Sequence, residues 1–233
     1  MEGPLKGYRF TTKSSYEYIL GNYEDPKVLE TLSHWLLPTS VFYDLGANIG
    51  FYSLFVNRLV FFGKVYAFEP SAKARAVFEE HIRLNQRITA LNRIEILPFA
   101  ISDSQKKIEF TDNATDGNTY IASSPAFRGN EKKILVDTYS IDELVQKGYD
   151  KPDVIKIDVE GAELDVLKGA IETIKTCRPR ILLATHDWHL PGIKDACVQF
   201  LQDLGYTLQH TGKHNKQLNG LDDFICLPPG DKG

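Results

Sequence analysis

The amino-acid sequence predicts an α/β fold with a mostly parallel sheet and helices on both of its faces. Strand-like and helix-like segments alternate from residue 25 to the end of the 233-residue chain, which is the pattern of parallel strands joined by crossover helices. Apolar residues make up 42% of the chain, enough for one sizeable core. We expect one domain over residues 25–233, preceded by an aromatic segment, residues 1–24, that packs on or caps the functional site.

Helices and strands alternate regularly in the first part of this domain. A helix is predicted to begin at Asp25-Pro26, because a capping residue there precedes a proline at the first helical position. A turn over Gly46–Gly50 leads into a second helix, and Ser71 is placed to cap a third. The predicted strands of this part are Val41–Tyr43, Lys64–Phe68 and Ile94–Phe99.

Residues 106–137 interrupt the alternation. Two predicted edge strands, Lys107–Phe110 and Ile134–Val136, flank the polar stretch 111–131. Loops of that length in a compact domain are typically functional, so we expect a lid over the site. The remaining predicted elements are a short helix capped by Ser140, strands Val154–Ile157 and Arg180–Ala184, helices around Leu167–Ile174 and Ile193–Leu204, and a closing hairpin of Tyr206–Gln209 and Phe224–Leu227.

Charge and composition disfavour several classes of partner. The formal net charge is -4, whereas a nucleic-acid binder usually shows a basic face. No stretch of about 18 consecutive apolar residues is present, so no membrane span is expected. The three cysteines, Cys177, Cys197 and Cys226, are too widely spaced for a zinc knuckle or a disulfide framework. We therefore expect a cytoplasmic protein; the sequence leaves its oligomeric state open.

The loop from Asp44 to Gly50, with the sequence Asp-Leu-Gly-Ala-Asn-Ile-Gly, is the first candidate binding element. It joins a buried strand to a helix, which is where doubly wound sheets bind ligands. Gly46 and Gly50 allow close approach of a ligand to the backbone, and Asn48 tolerates unusual dihedral angles. Asn48 also breaks the dinucleotide-binding glycine pattern. Asp44 would repel a pyrophosphate but attract a ligand that carries an ammonium and a sulfonium.

The second and third strands end in further candidate ligand contacts. Glu69 follows the second strand and lies where a carboxylate accepts hydrogen bonds from both ribose hydroxyls of a nucleoside. Ser102 and Asp103 follow the third strand, where they would meet an adenine edge. A simple turn formed by Ser102 and Asp103 remains an alternative.

The fourth and fifth strands deliver the candidate catalytic residues. Asp158 and Glu160 follow the fourth strand, and we expect both to face the reaction zone and Asp158 also to contact the cofactor. His186 follows the fifth strand, and an imidazole has a pKa suited to accepting a proton from a hydroxyl; His189 is the alternative base. The His186-Asp187-x-His189 run beside Asp158 also has the composition of a metal site, although we expect no metal.

Four segments together resemble the FkbM family of methyltransferases. They are Tyr-Asp-Leu-Gly-Ala-Asn-Ile-Gly-Phe-Tyr-Ser at 43–53, Gly-Lys-Val-Tyr-Ala-Phe-Glu-Pro at 63–70, Phe-Ala-Ile-Ser-Asp at 99–103 and Ile-Lys-Ile-Asp-Val-Glu-Gly-Ala-Glu at 155–163. The resemblance extends over about residues 25–210. It implies a class I methyltransferase (Rossmann-like) fold with a seven-stranded, mostly parallel sheet, strand order 3-2-1-4-5-7-6, strand 7 being antiparallel. The family often has a glutamate at the end of the fifth strand, where this chain has Ala184-Thr185-His186.

The resemblance also implies a function. We expect S-adenosylmethionine as the cofactor and O-methylation of a hydroxyl on a small molecule, sugar or lipid. Three alternatives remain open: an S-adenosylmethionine-binding protein without catalysis, a nicotinamide-dependent oxidoreductase on the same sheet, and a nucleic-acid methyltransferase. The missing glycine at position 48 argues against the second, and the absence of a basic stretch argues against the third.

Overall fold

The computed structural model describes residues 5–11, 26–87, 93–111, 133–212 and 221–231. Most of the aromatic segment 1–24 and all but the first residue of the predicted lid 111–131 lie outside the described residues. Among the described residues, no helix has both the length and the apolar character that a membrane span requires.

Seven helices and ten strands are formed by the described residues. The helices are α1 (Pro26–Trp35), α2 (Phe51–Asn57), α3 (Ala72–Asn85), α4 (Ile141–Gln146), α5 (Glu163–Lys168), α6 (Ile171–Cys177) and α7 (Ile193–Asp203). The strands are β1 (Val41–Leu45), β2 (Lys64–Phe68), β3 (Ile94–Leu97), β4 (Ala100–Ile101), β5 (Lys106–Thr111), β6 (Lys133–Tyr139), β7 (Val154–Ile157), β8 (Arg180–His186), β9 (Thr207–Gly212) and β10 (Leu221–Leu227).

The main sheet has seven strands in the order β3-β2-β1-β7-β8-β10-β9. β3, β2, β1, β7 and β8 run parallel to one another, and β10 is antiparallel to both β8 and β9. The mixed α/β sheet is therefore confirmed. The predicted label order 3-2-1-4-5-7-6 is not matched strand for strand, because β4, β5 and β6 lie between β3 and β7 in the chain and form a separate three-stranded sheet.

Alternating side chains of the central strands fill two cores, one on each face of the sheet. On β1, Phe42 belongs to one apolar cluster, whereas Tyr43 and Leu45 belong to the other. This is the period-2 alternation of a strand that is buried on both faces. Because β1 lies between β2 and β7, the loop that follows it is anchored in the interior of the sheet.

The side chains that were predicted to cap α3 and α4 do cap them. Ser71 accepts a hydrogen bond from the backbone of Ala74, and Ser140 forms a reciprocal capping box with Glu143. The single helix expected around Leu167–Ile174 is instead two helices, α5 and α6. The break falls at Gly169, where a Cβ atom would lie 2.2 Å from the backbone oxygen of Ser102, so the chain packs too closely there to carry an ordinary helical side chain.

The described part of the aromatic segment packs against the helices next to the loop 44–50. The Tyr8 hydroxyl donates to the backbone oxygen of Leu54 in α2. Phe10 contacts the ring of His81 in α3, with ring centroids 4.6 Å apart, and His81 Nδ1 lies 2.8 Å from the backbone oxygen of Ile49. Residues 5–11 therefore support the loop 44–50 through their contacts with α2 and α3.

Candidate functional site

The loop between β1 and α2 curls over the end of β2. The backbone N–H groups of Gly46 and Ala47 both donate to the backbone oxygen of Phe68, at 3.0 and 3.1 Å. Three loop residues have left-handed backbone conformations: Gly46 (φ 73°), Asn48 (φ 48°) and Gly50 (φ 85°). The unusual dihedral angle expected of Asn48 is confirmed, and it turns the chain into α2.

The two glycines of the loop are required by contacts with the protein itself. A Cβ atom on Gly46 would lie 1.9 Å from the backbone oxygen of Asp158, and one on Gly50 would lie 2.0 Å from the ring of Phe78. Close approach of a ligand at both glycines stays a prediction. Within the protein, Gly46 lets the end of β1 lie against the end of β7, which brings the loop and Asp158 together.

Substitution of Gly46 with alanine is expected to lower the free energy of unfolding by about 2–4 kcal/mol, since it adds overpacking to the cost of a left-handed alanine. Gly148→Ala is the matched control: Gly148 also has a positive φ, of 97°, but nothing lies within 4 Å of its would-be Cβ atom. It should cost only about 1 kcal/mol. Urea unfolding of the two variants measures their free energies of unfolding. Equal losses of stability would show that the close contact with the Asp158 backbone does not add to the cost of an alanine at position 46.

Glu69 is a buried acceptor at the end of β2. Its two carboxylate oxygens accept from the backbone N–H groups of Asn48 and Ser71, each at 2.8 Å. Burial raises the pKa of Glu69 to about 7, against the lowering effect of these two hydrogen bonds. A carboxylate has about four acceptor positions, so two remain for a ligand. The nearby side-chain oxygen of Asn48 is buried without a hydrogen-bond partner among the described residues, which also points to a polar ligand here.

Lys156 is a buried residue of the candidate site that was not predicted from the sequence. It lies in the buried strand β7, and its ammonium is 3.3 Å from both Asp44 Oδ1 and Asp158 Oδ2 and 3.0 Å from the backbone oxygen of Gly46. The signal was visible as a single lysine within the apolar run Val154–Ile157 and close to three acids. Lys156 links the loop after β1 to the acids after β7.

Asp44 faces this lysine. Its carboxylate is fully buried, accepts from Ser53 Oγ at 2.6 Å and lies beside Lys156. The sequence analysis paired Asp44 with the cationic groups of a ligand. Because Lys156 already balances its charge, the geometry favours an indirect role in which Asp44 holds Lys156 and the loop in place.

Ser102 and Asp103 form a local turn. The Asp103 carboxylate accepts from Lys106 Nζ at 2.6 Å and from the hydroxyls of Ser102 and Ser104, and the Lys106 hydrogen bond lowers its pKa. This is the alternative that the sequence left open. The assignment of both residues to an adenine edge stays a prediction.

The acids after β7 and the histidine at the end of β8 come together at one point. His186 Nε2 lies 3.4 Å from Asp158 Oδ1 and 3.6 Å from Glu160 Oε2, and its Nδ1 lies 2.7 Å from Glu163 Oε1. His189 Nε2 lies 2.8 Å from Glu160. Glu160 has a left-handed backbone, with φ 55°, which is a strained conformation for a residue with a side chain. The three predicted catalytic residues are thus neighbours.

The surroundings of His186 bear on which residue accepts a proton. Its burial lowers the pKa, but the carboxylates of Glu160, Glu163 and Asp158 outweigh that effect and raise the pKa to about 10. A histidine that already holds its proton at neutral pH is a poor base. The arrangement therefore disfavours His186 as the base and leaves Asp158, whose side chain is 36% exposed, and Glu160.

Comparison with known proteins agrees with this arrangement. Residues 44–208 match the family model described as the methyltransferase FkbM domain. The chain is 30% identical over 182 residues to the hexuronic acid methyltransferase AglP of Haloferax volcanii, covering 76% of this chain and 70% of that protein. It is 28% identical over 201 residues to the methyltransferase sdnD of Sordaria araneosa, covering 74% of this chain and 76% of that one.

A solved structure supports the fold. The crystal structure of the methyltransferase FkbM from Methylobacillus flagellatus superposes with a TM-score of 0.60 at 18% identity, covering 82% of this chain and 44% of that chain. The match to the family model begins at Asp44 and includes both the glycine loop and the acids after β7. The chain therefore belongs to the FkbM family of methyltransferases and is a methyltransferase enzyme.

Proposed function

We propose that this methyltransferase uses S-adenosylmethionine to methylate a hydroxyl oxygen of a small polar molecule of the sugar class. The observation that carries the proposal is the position of Glu69. Its buried carboxylate retains acceptor positions next to the side-chain oxygen of Asn48, which has no hydrogen-bond partner within the described part of the chain, at the sheet edge where Asp158 and Glu160 follow β7. A nucleoside would therefore be held on one side of the loop and the reacting groups on the other.

The residues present fit this cofactor. Glu69 would accept from the two ribose hydroxyls, and the loop Gly46–Gly50 would cover the part between the ribose and the sulfur. Asp158, partly exposed beside Lys156, would face the ammonium end of the cofactor or the acceptor. Glu69 also disfavours a 2′-phosphate, which carries negative charge. When bound, S-adenosylmethionine supplies a methyl group made electrophilic by its sulfonium.

The side chains of this site would then align the acceptor and remove its proton. Methyl transfer is a displacement at carbon, so positioning of the attacking oxygen contributes much of the rate. A carboxylate of Asp158 or Glu160 would take the hydroxyl proton as the oxygen–carbon bond forms and the carbon–sulfur bond breaks. Because His186 and His189 lie beside Glu160, they would orient that carboxylate.

A sugar hydroxyl is the acceptor class that the site chemistry favours. Carboxylates that lie near one another accept hydrogen bonds from hydroxyl groups, which are the groups that a sugar ring presents. The name of the relative AglP, a hexuronic acid methyltransferase, supports an acceptor built on a sugar ring.

Calorimetry and product analysis test this proposal together. We expect one S-adenosylmethionine or S-adenosylhomocysteine to bind per chain and NAD not to bind. With a panel of hexuronic acids and neutral sugars, mass spectrometry should detect a product heavier by one methylene unit. Asp158→Asn should lower kcat by about 100-fold or more if Asp158 is the base, whereas Asp203→Asn, at the exposed end of α7, should not.

Each part of the proposal has a contrary result. Binding of NAD in place of the adenosyl compounds would contradict the cofactor assignment. Binding of S-adenosylmethionine without any methylated sugar would contradict the acceptor class and favour a protein that binds without catalysis or acts on another acceptor.

A further inference from the structure

The cluster of Asp158, Glu160 and His186 has the donor spacing of a metal site. Each residue offers one ligand atom, and these atoms all lie within 4.8 Å of one another. The distances from His186 Nε2 to the two carboxylates, 3.4 and 3.6 Å, exceed the usual range of a hydrogen bond. Donors placed about 2.1 Å from one ion in a tetrahedral arrangement are about 3.4 Å apart, so the observed spacing suits an ion between them.

The orientation of His186 is a separate indication of a ligand. Its ring is buried, with 4% of the side chain exposed, and Nδ1 is held at 2.7 Å by Glu163, whose carboxylate is fully buried. Glu163 is held in turn by the backbone N–H of Gly161 at 2.9 Å. Metal-binding histidines almost always donate their second ring N–H to such a carboxylate. Here that contact directs Nε2 toward Asp158 and Glu160, where a bound ion would take the place of the Nε2 proton.

The charges around His186 also favour a cation. Asp158 turns one oxygen to Lys156 and the other to His186. Glu160 turns Oε2 to His186 Nε2 at 3.6 Å and to His189 Nε2 at 2.8 Å. Apart from the pair of Asp44 and Lys156, three carboxylates surround His186, those of Asp158, Glu160 and Glu163, so a divalent cation would reduce an excess of negative charge.

We propose that Asp158, Glu160 and His186 bind one divalent transition-metal ion of the Mn²⁺, Fe²⁺ or Zn²⁺ class. An imidazole with two carboxylates suits these ions better than Mg²⁺ or Ca²⁺, which prefer oxygen ligands. Three protein ligands leave positions open for water or for a hydroxyl oxygen of the acceptor. Each carboxylate offers the ion one oxygen, so the oxygen that does not bind the ion would still be able to take the hydroxyl proton. No metal was expected from the sequence, and the proposed site departs from that expectation. Asp187, which the sequence placed in the candidate ligand run, instead accepts from the backbone of Lys194.

Titration of the metal-stripped full chain with Mn²⁺, followed by electron paramagnetic resonance of the free ion, tests the site without any methyl-transfer assay. We expect one Mn²⁺ per chain, at least about tenfold weaker binding in Asp158→Asn and Glu160→Gln, and about 10- to 100-fold weaker binding in Glu163→Gln, which acts through His186. Asp187→Asn, an acid on the same loop outside the trio, should bind as the wild type does.

The readout separates the metal site from the proposed function and from folding. Circular dichroism and thermal unfolding establish that each variant is folded. Asp158 is the most exposed of the ligands, so Asp158→Asn is the variant most certain to fold. Wild-type chain that binds no Mn²⁺ at millimolar concentration, or folded Asp158→Asn that binds it as tightly as the wild type, would overturn the proposal, whatever the chain methylates.

Discussion

Replacement of Lys156 with methionine is expected to lower the free energy of unfolding by about 3–5 kcal/mol, the cost of removing one partner of a buried ion pair. The Lys156 side chain is only 7% exposed, and its ammonium lies 3.3 Å from Asp44, which is fully buried, and from Asp158. Without the lysine, Asp44 would keep a buried charge that solvent cannot reach. Urea unfolding followed by circular dichroism measures the loss.

Two further variants identify the cause of that loss. Lys151→Met removes an exposed lysine just before β7 and should change stability by less than about 0.5 kcal/mol. The double variant Lys156→Met with Asp44→Asn should recover part of the lost stability, because it removes the buried carboxylate charge that Lys156→Met alone leaves without its partner. A loss below about 1 kcal/mol in Lys156→Met, or no recovery in the double variant, would show that Lys156 does not balance Asp44.

The parts of the fold that follow local rules were predictable from the sequence. Ser71 and Ser140 cap helices through side-chain contacts three residues away, and the apolar run around Lys156 forms the buried strand β7. Two strands of the small second sheet, β5 and β6, were expected from the sequence as edge strands, but the pairing of β4 with β6 was not predictable from local rules. Whether β4 continues β3 or pairs with β6 depends on tertiary contacts, and the strand expected over Ile94–Phe99 ends at Leu97.

The candidate site, like the fold, was predictable from the sequence only in part. The sequence placed Glu69, Asp158, Glu160 and His186 at strand ends, and parallel topology brings the carboxyl ends of strands to one edge. The hydrogen bonds and ion pairs among these residues could not be predicted from their spacing in the sequence. Glu163 begins α5, and its carboxylate also contacts His186, which lies 23 residues away in the sequence.

Affinity for S-adenosylhomocysteine is expected to rise about tenfold per pH unit as the pH increases toward 7, and then to level off. Burial raises the pKa of Glu69 to about 7, so the side chain is protonated below that pH and ionised above it. Ribose hydroxyls donate more strongly to a carboxylate than to a carboxylic acid, so the ligand favours the ionised form. Each pH unit below the pKa then costs about 1.4 kcal/mol. Calorimetry between pH 5.5 and 8.5 measures the slope.

Comparison with Glu69→Gln isolates this group from every other titrating residue and from the ligand itself. Glutamine is neutral throughout, so binding should be about 100-fold weaker at pH 8, from the loss of two charge-assisted hydrogen bonds, and the slope below pH 7 should disappear. Glu79→Gln, at an exposed position of α3, should keep both the affinity and the slope. A slope that survives in Glu69→Gln would assign the titration to another group. Loss of both the slope and the affinity would identify Glu69 as the acceptor of the ribose hydroxyls. If Glu69 only supported the loop, its ionisation would not change the binding of the ligand by tenfold per pH unit.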